Sequence, residues 1–252
     1  MMKNTLTLLT LVVCTSIGLG QDDADWKSLF DGKSLAGWDG DPKFWSVKDG
    51  AITGTTTKEN PTKGNTFIIY TGDNADNVEK EFGDFELKLT FRIEGHNSGI
   101  QYRSFRANGS DRWRVGGYQS DFDAKNGWTG TNYGERFRGI LAKRGEKVVL
   151  SGMEEVKDPK TDKTKKVLKR EVESLGDAAK LAEGIKAYPD WNEMHIVAKR
   201  NVLTQKINGV TMSIVTDNDE ENARDKGLIA VQLHGGPPMV VQVKDVKILV
   251  AE

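Results

Sequence analysis

The sequence predicts an all-β sandwich or barrel, and three observations carry that expectation. Residues 85–93 read Phe-Glu-Leu-Lys-Leu-Thr-Phe-Arg-Ile. Phe85, Leu87, Leu89, Phe91 and Ile93 take one parity, and Glu86, Lys88, Thr90 and Arg92 take the other. Such alternation gives a strand one dry and one wet face, as in an antiparallel sheet. Further β-type runs follow along the chain with no strand-helix-strand rhythm, which excludes a parallel βαβ layout. Finally, 27 glycines stand against 6 prolines, a composition suited to many tight turns.

Residues 1–20 form a separate object. Lys3 precedes an apolar run from Leu6 to Val13, and the small residues Ser16, Gly18 and Gly20 follow. This pattern predicts a secretory signal peptide cleaved after Gly20, and hence a periplasmic or extracellular protein. The run is too short for a bilayer span. Val13 before Cys14 disfavours a lipoprotein signal, which calls for a small residue there. Cys14 is the only cysteine in the chain. The exported part therefore has no disulfide, no thiol nucleophile and no thiolate metal site. A formal net charge of −1 argues against nucleic acid or an anionic membrane as partner.

Residues 21–252 are expected to form one domain with an insertion at about 146–190. Near its start, Trp26, Phe30 and Trp38 anchor a turn at Asp31-Gly32. Asp49-Gly50, between Phe44–Lys48 and Ala51–Gly54, predicts a hairpin. Thr66–Thr71 is a short strand. After Phe85–Ile93 come strands at Ile100–Arg103 and Val115–Phe122 with a polar loop between them. Within the insertion, Val148–Leu150 and Val167-Leu168 flank a charged tip at Lys157–Lys166, read as a solvated hairpin end. Ser174–Lys186 carries the one good helix pattern, with Leu175, Ala178, Ala179, Ala182 and Ile185 on one face and Ser174 as its cap. Four strands follow at Trp191–Lys199, Val202–Ile207, Gly227–His234 and Val240–Val250, with a turn at Asn208-Gly209.

An ordered set of short motifs resembles a known family. They include Phe30-Asp31-Gly32-Lys33-Ser34-Leu35-Ala36-Gly37-Trp38, Trp45-Ser46-Val47-Lys48-Asp49-Gly50 and Phe82-Gly83-Asp84-Phe85-Glu86-Leu87. Asn97-Ser98-Gly99-Ile100, Gly117-Tyr118-Gln119, Thr129-Gly130 with Tyr133, Trp191-Asn192, Asn208-Gly209-Val210 and Gly227–Gly235 complete it. From about Trp26 to Val250 the chain is similar to the 3-keto-disaccharide hydrolase domains, first described as domain of unknown function 1080. The resemblance implies a concanavalin-like jelly-roll β-sandwich, in agreement with the strand pattern, with one short helix in the insertion. It also implies cleavage of 3-keto-glycosides, by hydrolysis or by elimination followed by hydration. A lectin-like, non-catalytic glycan-binding domain on the same fold is the alternative.

Parity nominates the side chains of a sugar site. Gln101 and Arg103 share a face, as do Gln119 and Asp121, and Gln232 and His234. Sugars need paired donors and acceptors and an aromatic platform. Arg103, Tyr118, Gln119, Trp128, Tyr133, Arg138 and Gln232 are the expected binding residues. His234, Glu135 and Asp121 are the expected catalytic ones. A 3-keto group acidifies the hydrogen at C2, so His234 is the candidate base. Glu135 or Asp121 is then the partner acid, and Arg103 or Arg138 is expected to stabilise an enolate. His96 reads as turn polarity and His195 as exposed or structural. Ser98 and Gly99 read as turn chemistry, and Asp217–Glu221 as a solvated acidic loop. No cofactor is certain. Asp121–Gly127 fails the EF-hand spacing, and a divalent cation held by His234 and a carboxylate is compatible with the sequence. Gly-x-Ser-x-Gly and the paired acids of ordinary glucanases are absent.

Overall fold

The computed structural model describes residues 25–72, 79–107, 109, 111–157 and 160–250. The predicted signal peptide lies outside the described residues. Among the described residues, seventeen strands and one short helix are formed. The first five strands are β1 (Lys27–Ser28), β2 (Trp38–Asp39), β3 (Trp45–Lys48), β4 (Ala51–Thr56) and β5 (Thr66–Tyr70). The central group is β6 (Phe85–Glu94), β7 (Asn97–Arg106), β8 (Val115–Asp123), β9 (Asn132–Glu135) and β10 (Gly139–Ala142). The insertion supplies β11 (Glu146–Lys157), β12 (Thr164–Ser174) and α1 (Ala178–Ala182). The chain closes with β13 (Asn192–Lys199), β14 (Val202–Ile207), β15 (Val210–Asp217), β16 (Leu228–Leu233) and β17 (Met239–Val250).

These strands make two sheets. The larger runs β12-β11-β15-β14-β13-β6-β17-β4-β3, with β1 also on β17. The smaller runs β10-β9-β8-β7-β16-β5-β2. β6 alternates as its sequence requires, with Phe85, Leu87, Leu89, Phe91 and Ile93 buried. Its rings meet the smaller sheet directly: Phe91 lies 4.3 Å from Phe122 and Phe85 lies 6.4 Å edge-on to Tyr102. At the predicted Asp49-Gly50 hairpin both residues adopt positive φ, 52° and 70°, the pairing a tight two-residue turn needs.

Two local expectations are corrected. The helix covers Ala178–Ala182, and its cap is Asp177, which accepts from the backbone N–H of Ala179 and Lys180. Ser174 is the last residue of β12 instead, because pairing with Glu146 extends the hairpin that far. Asn97-Ser98-Gly99 is not a turn but the start of β7. Ser98 is buried there and donates to the Gln232 carbonyl at 2.7 Å.

β8 is buried along its whole length. One face belongs to the core. The other is the outer face of the smaller sheet, and one half of it is covered. Phe67, Ile69, Val115, Leu228 and Ala230 form a second apolar cluster at one end. The Trp113 carbonyl accepts from Phe67 N–H across that end. The other half of the face stays open as a cleft.

Candidate active site

The cleft encloses about 770 Å³ and is lined by side chains from β7, β8, β9 and β16 and the loops at one edge. Gln101 lies opposite Gln119 across β7 and β8, and Gln119 lies opposite Tyr133 across β8 and β9. Asp121, Glu135, Gln232 and His234 share the same cavity wall, with Trp128 half exposed at the rim. Seven of the ten residues nominated from sequence therefore line one cleft: His234, Glu135, Asp121, Gln119, Trp128, Tyr133 and Gln232.

The other three do not. Arg103 was placed with Gln101 by parity, but the register shifts between Tyr102 and Phe105 and Arg103 takes φ 45°. The bulge turns its guanidinium away from the cleft. It donates to the carbonyls of Gly83, Arg200 and Arg224 and pairs with Asp84 at 2.9 Å. Tyr118 points to the core side of β8, stacked on Tyr102 at 5.6 Å, and donates to Asp217 Oδ2 at 2.5 Å. Arg138 is held by Asp217 and Asp219 and lies over the Phe137 ring. Asp217 and Asp219, read from sequence as solvated, are both buried. A folded loop that brings an arginine to them explains the difference, since buried carboxylates persist where they are paired.

Asp121 is the most perturbed group in the cleft. Burial pushes its carboxyl up to about 8; the Gln119 amide partly offsets this, and Glu135 and Asp123 add to it. It is therefore protonated at neutral pH. Asp123 has a different task. Its oxygens accept from the backbone N–H of Trp128 at 2.7 Å, Thr129 and Gly127 at 3.1 Å and Lys125 at 3.2 Å. It pins the loop that carries Trp128. Glu135 faces only amide donors, Asn65 Nδ2 at 3.3 and 3.4 Å and Gln232 Nε2 at 3.3 Å. The Gln232 Oε1 is buried and has no hydrogen-bond partner within the protein. A ligand hydroxyl would satisfy it.

His96, read from sequence as turn polarity, sits beside His234 with ring centroids 4.4 Å apart. His234 Nδ1 is 2.6 Å and His96 Nε2 is 3.2 Å from the Gly235 carbonyl. A carbonyl oxygen only accepts, so both nitrogens carry hydrogen. With hydrogen on Nδ1, the lone pair of an uncharged His234 ring is on Nε2. Burial, and next the neighbouring His234, lower the His96 pKa. His195 lies elsewhere, 2.7 Å from Glu86 and edge-on to Trp26.

Asn65, His96, Asn97, Asp123 and Lys125 line the cleft and were not anticipated. The signal for His96 is positional. It precedes β7 just as His234 follows β16, and these two strands are antiparallel neighbours. That adjacency exists only once strand order is known. Among the described residues no three His, Cys, Asp or Glu side chains are gathered as a metal site.

A family model, the 3-keto-α-glucoside-1,2-lyase-like domain, matches residues 25–249. The chain belongs to this family. Within the family's span lie both sheets and every cleft residue named above. Two candidate glycosyl hydrolases from Parabacteroides distasonis share the fold. One is 18% identical, with a TM-score of 0.53 and coverage of 90% of this chain and 94% of the other. The second is 16% identical, with a TM-score of 0.51 and coverage of 90% and 99%. A Bacillus subtilis protein of unknown function with a galectin-like fold is 11% identical, with a TM-score of 0.51 and coverage of 90% and 91%. No curated protein matches the chain. This chain is thus a 3-keto-α-glucoside-1,2-lyase-like domain on a jelly-roll, galectin-like fold. Among its described residues no helix is long and apolar enough to cross a membrane.

Proposed function

We propose that the cleft cleaves 3-keto-glycosides by elimination across C1 and C2. His234 Nε2 takes the C2 hydrogen, which the C3 ketone acidifies. The electron pair left at C2 forms the C1=C2 bond as the C1–O bond breaks. The departing oxygen takes a proton from Asp121. Water adding across the double bond then gives net hydrolysis. Glu135, Gln232, Tyr133 and Gln119 border the sugar, and Trp128 offers a face at the rim.

The observation that carries this reading is the pairing of opposite roles in one cleft. A histidine with a free basic nitrogen and a carboxyl kept protonated by burial both line it. A base with an open lone pair and an acid that keeps its proton, in one cleft, suit acid–base chemistry. Family membership supports the 3-keto substrate. The resemblance of residues 1–20 to a signal peptide supports export.

The test is incubation with 3-keto-trehalose and p-nitrophenyl 3-keto-glucoside, with and without chelator, following release of the aglycone. His234→Ala is expected to lose on the order of 10²–10⁴-fold in kcat. Saturable binding with no product above background would favour the lectin-like alternative. An unchanged rate in His234→Ala would remove His234 as the base.

A further inference from the structure

Beneath the cleft, Ser104 and Gln101, which the reaction above does not use, continue a buried chain of polar side chains that ends at Gln119 and Asp121. Ser104 Oγ donates to Gln101 Oε1 at 2.7 Å. Gln101 Nε2 donates to Gln119 Oε1 at 2.5 Å. Gln119 Nε2 then donates to Asp121 Oδ1. Ser104 and Gln101 are fully buried and Gln119 nearly so, so bulk water does not replace any link. The chain also has a built seat. A Cβ at Gly99 would come 2.5 Å from Gln119 Cγ, so bare backbone at that position lets the glutamine lie across β7.

We propose that Gln101 is a positioning residue that, acting through Gln119, sets which oxygen of Asp121 carries its proton. This rests on the reading of Asp121 as the acid for the leaving group. The reasoning is directional. A primary amide has one accepting end and one donating end. With a donor at Gln101 Oε1, each amide in turn presents its N–H to the next acceptor. The last N–H falls on Asp121 Oδ1, so that oxygen accepts and the proton resides on Oδ2. If Gln119 turned over, its Oε1 would meet Oδ1 and draw the proton there. The acid would then spend its hydrogen on an amide rather than on the glycosidic oxygen. Low local polarity strengthens each link and raises the cost of an unmatched one.

Leaving-group dependence provides the test. An alkyl or sugar aglycone needs a proton as it departs, whereas p-nitrophenolate needs far less help. Gln101→Met keeps the volume and removes both the acceptor and the donor. It is expected to lower kcat on 3-keto-trehalose by about 10²-fold with KM little moved, and to lower kcat on p-nitrophenyl 3-keto-glucoside far less. Ser104→Ala removes only the head of the chain, is less disruptive to the fold, and is expected to show the same preference more weakly. The infrared carbonyl band of protonated Asp121, identified by its loss in Asp121→Asn, is expected to shift in both variants without any substrate present. Equal losses on the two substrates in a folded variant would overturn the relay. If the wild type cleaves neither substrate, the proposed function fails. The infrared band then judges the relay alone: an identical band in wild type and both variants would overturn it.

Discussion

Two groups of buried acids stand in this molecule, and they live under opposite rules. Asp217 and Asp219 are gripped by Arg138, with Tyr118 donating to Asp217 as well. Asp121, Asp123 and Glu135 form no ion pair among the described residues, and their partners are backbone and side-chain amides. The first group is closed: every oxygen points at a cation or a donor within the fold. Removing one partner there leaves an uncompensated buried charge. The second group lacks a cation, so burial is relieved by proton uptake at Asp121 instead. The lesson is that burial of an acid does not mark function. Burial of an acid without a cation, inside a cavity, does.

That contrast can be broken most sharply at Asp121. Asp121→Asn keeps the shape and removes the transferable proton. Its kcat on 3-keto-trehalose is expected to fall by about 10³-fold. The folded pKa of Asp121 is raised, so the stability its proton confers is complete below the ordinary carboxylate range and is lost as pH rises through about 8. Asp121→Asn lacks this titration, so its Tm measured from about pH 5 to about pH 9 is expected to decline less steeply than wild type. A steeper decline would contradict a protonated Asp121.

The closed group should fail in the other way. Arg138→Met leaves Asp217 and Asp219 buried without their cation and is expected to cost about 3–5 kcal/mol in chemical denaturation. The folded fraction should keep the wild-type kcat/KM, because Arg138 does not line the cleft. Loss of activity with stability intact would return Arg138 to the site. The smallest effect belongs to the rim. Trp128→Ala is expected to raise KM about tenfold, the size of one lost stacking contact, as read from initial rates. A change in kcat alone would show that Trp128 acts on the reacting atoms instead.

Much of this site was legible by parity. Gln119 and Asp121 share a face two residues apart, and the same rule places Gln232. Tyr118 was misplaced: it was nominated for the cleft, although its parity opposes Gln119 and the structure turns it to the core side. Arg103 was not legible, because one β-bulge between Tyr102 and Phe105 cancels the alternation on which parity depends. His96 was not, because its partner His234 lies 138 residues away and meets it only through the β7–β16 pairing.

The short strands β9 and β10 aside, the sequence by itself determined the longer strands, most turns and the polar identity of the cleft face. These follow from period-two alternation and glycine positions, which act over a few residues. Tertiary structure alone decided which polar residues meet, which acids find an arginine and which oxygen of Asp121 accepts from Gln119. Those outcomes depend on strand order, on bulges and on how completely loops exclude water. None of these is written in any short stretch of the chain. Gln119 and Asp121 were visible from the start as neighbours on one strand; only the folded sheet adds Gln101 and Ser104 behind them and buries the chain they form.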